Sequence, residues 1–231
     1  MVVYLLGTSH ISAKSVAQIK KEISSLKYGV VAVELDVMRL QSLFSKVKSS
    51  ISPMMIFQVG VFGYLFAVVG RIVQQHLGRV VGVMPGEEMK TAVLLSKKHD
   101  LKIALIDRRI DRTLKAFSKE FSFKDKARMV YDMFRGMFFQ KKYLKEVGFS
   151  SFDLRSVPSS EVVEKMIGYI GRRYPSLHKV LISDRNKVMV RALEKVAEKH
   201  PEAEVLAVVG AGHVPGMKKL FEKKEVAFEI L

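Results

Sequence analysis

Apolar residues fall into two kinds of run along this chain. Short continuous runs occupy Val2–Leu6, Val30–Leu35, Leu101–Ile106 and Val205–Val209. Runs this short, bounded by glycine or ionisable residues, predict strands buried on both faces. Between them, apolar residues recur at helical spacing. Val16, Ile19, Ile23 and Leu26 follow Ser12, which can cap a helix, and Gly29 ends the pattern. Strand, helix and strand between Val2 and Leu35 predict a βαβ unit, whose two strands are parallel.

The same reading continues to the C-terminus. Val37 to Lys46 predicts a helix. Pro85-Gly86-Glu87-Glu88 opens another, with carboxylates in the first turn where the dipole favours them. Asp111 to about Val147 predicts a basic helical region, Phe149–Ser160 a connection and Glu161–Arg173 a helix. Pro175 opens a helix reaching His200, with Val180, Leu181, Val188, Leu193 and Val196 on its apolar side. Pro215 opens a last helix to about Lys223, and Val226–Leu231 predicts a final strand. The expected fold class is α/β: a mostly parallel, mixed central sheet flanked by helices. One domain spans residues 1–231, with helical insertions at about 51–82 and 115–175.

One stretch departs from that pattern. No residue from Met54 to Gly70 is charged, and Gly60, Gly63 and Gly70 interrupt it. Its length approaches the ~20 residues of a bilayer span, but Gln58 lies inside it and Arg71 follows at once. A transmembrane span, a buried or capping helix and a homodimer face all stay open. The glycines would admit a close helix neighbour in each case. Farther on, the Phe and Met residues between Phe117 and Phe139 exceed what one buried face needs, which points to an apolar groove or partner surface.

Candidate chemistry gathers at the strand ends. Gly7-Thr8-Ser9-His10 follows the first strand and Gly210-Ala211-Gly212-His213 follows the fourth. Each glycine turn permits a positive φ or a close backbone approach and delivers a histidine past its strand. Glu34 ends the second strand and Asp107 the third. Ligands of open α/β sheets bind outside the carboxyl ends of the strands. His10, Glu34, Asp107 and His213 on one edge would suit a divalent ion such as Zn, Mn or Co. Arg108, Arg112 or Arg185 could stabilise a developing oxyanion or hold a carboxylate. The Asp184-Arg185-Asn186 triplet is otherwise an ordinary exposed ion pair. There is no His-Glu-x-x-His helix, no Gly-x-Ser-x-Gly elbow and no P-loop. The Gly210-x-Gly212 turn lacks the third glycine of a dinucleotide loop.

Composition narrows the field further. The chain has 231 residues and no Cys, which excludes a thiol nucleophile or cysteine metal site. The formal charge is +16. Such a surplus attracts nucleic acid, anionic lipid or acidic substrates. Without a nucleic-acid-binding signature, nucleic acid ranks behind a membrane surface. Met1 leads directly into a strand-like run, with no basic n-region or cleavage site for a signal peptide.

Six stretches in order resemble the TraB/PrgY (pheromone-shutdown) family, related to Tiki and GumN proteins and grouped with the EreA/ChaN-like fold. They are Gly7-Thr8-Ser9-His10-Ile11-Ser12, Val33-Glu34-Leu35-Asp36 with Arg39, Pro85-Gly86-Glu87-Glu88-Met89, Ile106-Asp107-Arg108 with Thr113-Leu114, Ser183-Asp184-Arg185-Asn186, and Val209-Gly210-Ala211-Gly212-His213-Val214-Pro215-Gly216. The resemblance implies a metal-dependent hydrolase, shown as proteolysis for Tiki-type relatives and unsettled for the TraB branch. Its substrates would be peptides or lipopeptide-like molecules. It makes His10, Glu34 and His213 the metal or catalytic set, with Arg108 and Arg185 beside them. Gly7, Glu88, Asp107, Arg112, Asp184, Gly210 and Gly212 would support that set. This chain has Asp184-Arg185-Asn186 where the family usually has Glu-Arg-Asp. Many archaeal relatives continue into C-terminal transmembrane helices. This sequence would then be the cytoplasmic, soluble domain of a membrane-anchored protein, which its positive charge fits. The alternative reading is a non-catalytic, peptide-sequestering or membrane-associated regulatory protein.

Overall fold

Strands β1 (Val3–Thr8), β2 (Val30–Val33), β3 (Lys102–Leu105), β4 (Val205–Gly210) and β5 (Phe228–Ile230) pair side by side in the order β3-β2-β4-β1-β5. The computed structural model describes residues 2–8, 13–45, 52–61, 63–65, 67–68, 71, 86–138 and 160–231. Every pairing among these strands is parallel, where the sequence reading allowed a mixed sheet.

The strands read as continuous apolar runs because helices cover both faces. Alternate residues point to opposite faces. Val3, Leu5, Val30, Ala32, Val205 and Ala207 form one core with Met189, Val190 and Leu193 of α8 (Asp184–Lys199) and Met217 and Phe221 of α9 (Val214–Lys224). Tyr4, Leu6, Val31, Val33, Leu206 and Val208 form the other. They pack against Ile19 and Ile23 of α1 (Ala13–Ser24) and Met89, Ala92 and Val93 of α3 (Glu87–Lys98). Helix α2 (Val37–Phe44) follows β2 and is capped by Asp36, whose carboxylate accepts from the N–H groups of Met38 and Arg39.

The basic helical region is two helices. Helix α4 (Ile110–Glu120) stops at Phe121, whose backbone is extended, and α5 (Phe123–Phe138) begins after Ser122. Ser122 Oγ accepts the Asp125 N–H at 3.1 Å. Ser122-Phe123-Lys124-Asp125 therefore carries the serine half of a capping box, which interrupts an otherwise continuous apolar period. The helix expected on to Val147 runs past the described residues, as do the Ser12 cap and all of the expected Phe149–Ser160 connection but Ser160, which opens the next helix. Helix α6 (Ser160–Arg173) follows.

The expected helix from Pro175 to His200 runs without a break to Lys199 but is not regular. It comprises α7 (Pro175–His178), a π-helical turn at Lys179–Ser183, and α8. An extra residue in a turn rotates everything after it by about 100° relative to a regular α-helix. Val180 is thereby buried against Phe117 and Phe121 of the α4 segment, in a third cluster. Arg185 and Asn186 are carried instead to the carboxyl edge of the sheet. Periodicity alone does not reveal such an insertion.

The register of β1 on β4 fixes the two glycine turns against each other. Gly7 pairs with Val209 and Thr8 with Gly210, so the two Gly-x-x-His stretches are displaced by one residue. Thr8 Oγ1 donates to the Val209 carbonyl at 3.2 Å, and the Ala211 N–H donates to the Thr8 carbonyl at 2.8 Å.

Candidate functional site

Glu34 is the first residue beyond β2, and its backbone N–H continues the sheet by donating to the Val208 carbonyl at 3.1 Å. That bond sends its side chain toward the end of β4. There Glu34 Oε2 accepts the Gly210 N–H at 2.6 Å. Its other oxygen, Oε1, accepts from Arg185 Nη2 and stands 3.4 Å from His213 Nε2. Both Glu34 and His213 are buried.

Asp107 follows β3 on the neighbouring strand. Its Oδ1 accepts Arg185 Nε at 3.0 Å and the Arg108 N–H at 2.7 Å. Its Oδ2 accepts Arg185 Nη2 at 2.7 Å and Arg39 Nη1 at 2.8 Å. The site is thus a ladder of two carboxylates and two guanidinium groups whose formal charges balance. Burial opposes the Arg185 charge, but Glu34 and Asp107 outweigh it and hold its pKa above the usual arginine value. Charges removed from water persist only when paired and hydrogen-bonded in this way. Asp36 ties the strand ends together, since its Oδ2 also accepts the Ile110 N–H at 3.2 Å.

The far nitrogen of the histidine is held as well. His213 Nδ1 lies 2.6 Å from Asn186 Oδ1, and both residues are buried. An amide oxygen can only accept, so in this orientation Nδ1 is the donor, while Nε2 on the other side of the ring faces Glu34.

The structure thus joins Glu34, Asp107, Arg185, His213 and the Gly210 N–H. Arg108 adds its backbone N–H to the ladder. Arg112 is exposed in the first turn of α4. Asp184 lies 3.0 Å from Lys179 Nζ and 4.0 Å from Lys187 Nζ, away from the cluster. Glu88 is buried in the first turn of α3. Gly212 lies in the turn before His213. Gly7, Gly210 and Gly212 do not adopt a positive φ. A Cβ on Gly7 would stand 3.1 Å from Val214 Cγ2, so close approach is its constraint. His10 lies outside the described residues.

Two contributors carried no individual role in the sequence reading. Arg39 stood only beside the Glu34 stretch, and Asn186 only as the last member of its triplet. Asn186 stands between Arg185 and Lys187, so its sequence neighbours give no sign of its burial. Arg39 gave no signal beyond its place one turn into α2.

Glu34 and His213 fit two positions around a divalent ion. In a tetrahedron with metal–donor bonds of about 2.0–2.1 Å, donors lie roughly 3.3–3.4 Å apart. The Glu34–His213 separation matches, and a ligating histidine commonly donates its other N–H to a fixed acceptor. Among the described residues no group of three or more His, Asp or Glu is arranged to hold a metal ion, so an ion here would need further donors.

A sequence model of the TraB/PrgY/gumN family matches residues 1–227. An uncharacterised protein of Methanocaldococcus jannaschii is 30% identical over 225 residues, covering 96% of this chain and 54% of that protein. The human TraB domain-containing protein is 27% identical over 246 residues, covering 94% of this chain and 62% of that one. The chain therefore spans little more than half the length of these relatives. Among solved structures, an erythromycin esterase mutant in its open conformation covers 99% of this chain and 68% of its own, at 10% identity and a TM-score of 0.38.

Proposed function

The chain belongs to the TraB/PrgY/gumN family, and on that premise we propose that Glu34, His213 and His10 form the site of a divalent-metal-dependent hydrolase acting on peptides or lipopeptide-like substrates. The observation that carries the reading is the 3.4 Å approach of His213 Nε2 to Glu34 Oε1 at the carboxyl edge of the sheet. Zn, Mn or Co are the ions this donor chemistry suits. A bound ion would lower the pKa of a coordinated water and polarise a scissile carbonyl.

The chain's own residues prepare the site. Arg185 and the Gly210 N–H hold the Glu34 carboxylate fixed in direction. Asp107 and Arg39 hold Arg185 in turn, so the carboxylate is braced from a neighbouring strand. Preorganised groups of this kind need not reorganise as charge develops. Arg108, on the same edge, is the cation that would meet a substrate carboxylate. We propose a cytoplasmic site, on the soluble domain of a membrane-anchored protein.

The test is peptide hydrolysis measured with and without added Zn, Mn or Co. Metal-dependent cleavage, lost in Glu34→Gln and His213→Ala, is expected. Cleavage that is indifferent to the metal or to both substitutions contradicts the reading.

A second reading has its own observation. Helical residues 55–61 and 63–65 expose Phe57, Val61 and Leu65 at 87%, 62% and 53%, with Met54 at 72% beside them. Exposed apolar residues gathered on one short segment mark an interaction surface. It supports peptide sequestration, membrane association or a homodimer through the 54–70 stretch. Among the described residues no helix is long and apolar enough to cross a membrane.

A further inference from the structure

We propose that Asn186 is a positioning residue that fixes the His213 imidazole as its Nδ1–H tautomer, and that Gly216 is the space that admits it. The two orientations of the Asn186 amide have opposite consequences. With Oδ1 on Nδ1, at 2.6 Å, the proton resides on Nδ1 and Nε2 is bare. With the amide reversed, Nδ2–H would donate to Nδ1, and Nε2 would carry the proton and give it to Glu34. The first orientation leaves a lone pair facing a carboxylate oxygen 3.4 Å away, an arrangement that a cation completes. The second closes the site with a hydrogen bond and leaves no donor for an ion.

Gly216 makes the contact sterically feasible. A Cβ at Gly216 would stand 2.1 Å from Asn186 Nδ2, far inside contact distance. Helix α9 starts at Val214, directly after His213, so this glycine lies in the first turn of the helix that the histidine leads into. Any side chain there would push the Asn186 amide off the imidazole. The pairing therefore depends on a residue that contributes no side chain to the site. Asn186 in turn sits beside Arg185 on α8, so one helical turn delivers both the Glu34 partner and the His213 partner.

The inference rests on the metal reading for its purpose, while the tautomer is measurable without any metal. Histidine-labelled, metal-free protein is examined by long-range proton–nitrogen correlation at pH 8. The wild type is expected to show His213 protonated at Nδ1. Asn186→Asp keeps an acceptor and should keep that tautomer. Asn186→Leu and Gly216→Ala should shift His213 toward Nε2–H. They should also weaken zinc binding on the order of 10–100-fold, the usual effect of losing such a partner. An Nε2–H tautomer in the wild type overturns the inference by itself, whether or not any variant folds. So does an unchanged tautomer in folded Asn186→Leu. A wild type that holds Nδ1–H yet binds no metal sinks the hydrolase reading and leaves this one standing.

Discussion

Arg185 and Asp107 form a two-point pair across neighbouring elements, with Nε on Oδ1 at 3.0 Å and Nη2 on Oδ2 at 2.7 Å. The same Nη2 also donates to Glu34. One guanidinium thus fixes two buried carboxylates from adjacent strands. Removing one partner of a buried ion pair costs about 3–5 kcal/mol, because the other is left uncompensated. Arg185→Ala is therefore expected to lose roughly that much in urea unfolding. Arg185→Lys should recover little, since an ammonium cannot serve both oxygens of Asp107 and Glu34 at once. A loss under 1 kcal/mol in Arg185→Ala would show that the ladder is dispensable.

Gly60 and Gly63 of the uncharged stretch face α4. A Cβ on Gly63 would stand 2.6 Å from the Leu114 carbonyl oxygen, and one on Gly60 would stand 2.3 Å from Ser118 Oγ. Backbone cannot yield as a side chain can. Gly63→Ala should force residues 55–65 away from α4, costing about 1–3 kcal/mol as other overpacking substitutions do. Hydrogen exchange along α4 should speed up accordingly. Unchanged exchange and stability would show that this helix contact is not tight.

Exposure on the same segment gives the reverse expectation. Phe57 is 87% exposed, so Phe57→Ser should change stability by no more than about 0.5 kcal/mol. Under the sequestration or membrane reading, Phe57→Ser should lower peptide or liposome binding, or self-association in sedimentation. Binding that survives Phe57→Ser but disappears with His213→Ala belongs to the metal site instead.

Burial holds the His178 imidazole below its ordinary pKa, so the folded state disfavours its charged form. The unfolded chain takes up the proton first as pH falls. His178 therefore contributes its full stability above about 6.5, the ordinary value. That contribution declines as pH drops through 6.5 toward the lowered folded pKa. His178 Nδ1 lies 3.3 Å from Ser183 Oγ across the π-helical turn. His178→Gln should flatten the fall in urea midpoint between pH 7.5 and 5.5. An equally steep fall in the variant would assign the acid sensitivity to other groups.

The strands were legible because a sheet covered on both faces has to be built from uninterrupted apolar runs. Val30–Val33 and Val205–Gly210 lie where those runs stood. The βαβ rule supplied their parallel sense and hence the edge on which Glu34, Asp107 and His213 end. What stayed hidden was whatever depends on an insertion or a partner far along the chain. The π-helical turn changes no residue type, yet it decides that Arg185 and Asn186 reach the edge. Arg39 looks like any surface arginine until β3 places Asp107 beside it. Asp184, adjacent to Arg185 in sequence, turns instead to Lys179.

The central claim is tested most directly by zinc titration of metal-free protein followed by calorimetry, with Glu34→Gln as the paired variant. Glutamine keeps the shape and the Gly210 contact but removes the charge. The account predicts one ion bound per chain in the wild type, and at least tenfold weaker binding in Glu34→Gln, a difference of about 1.4 kcal/mol. No binding in the wild type, or equal binding in both proteins, would contradict it.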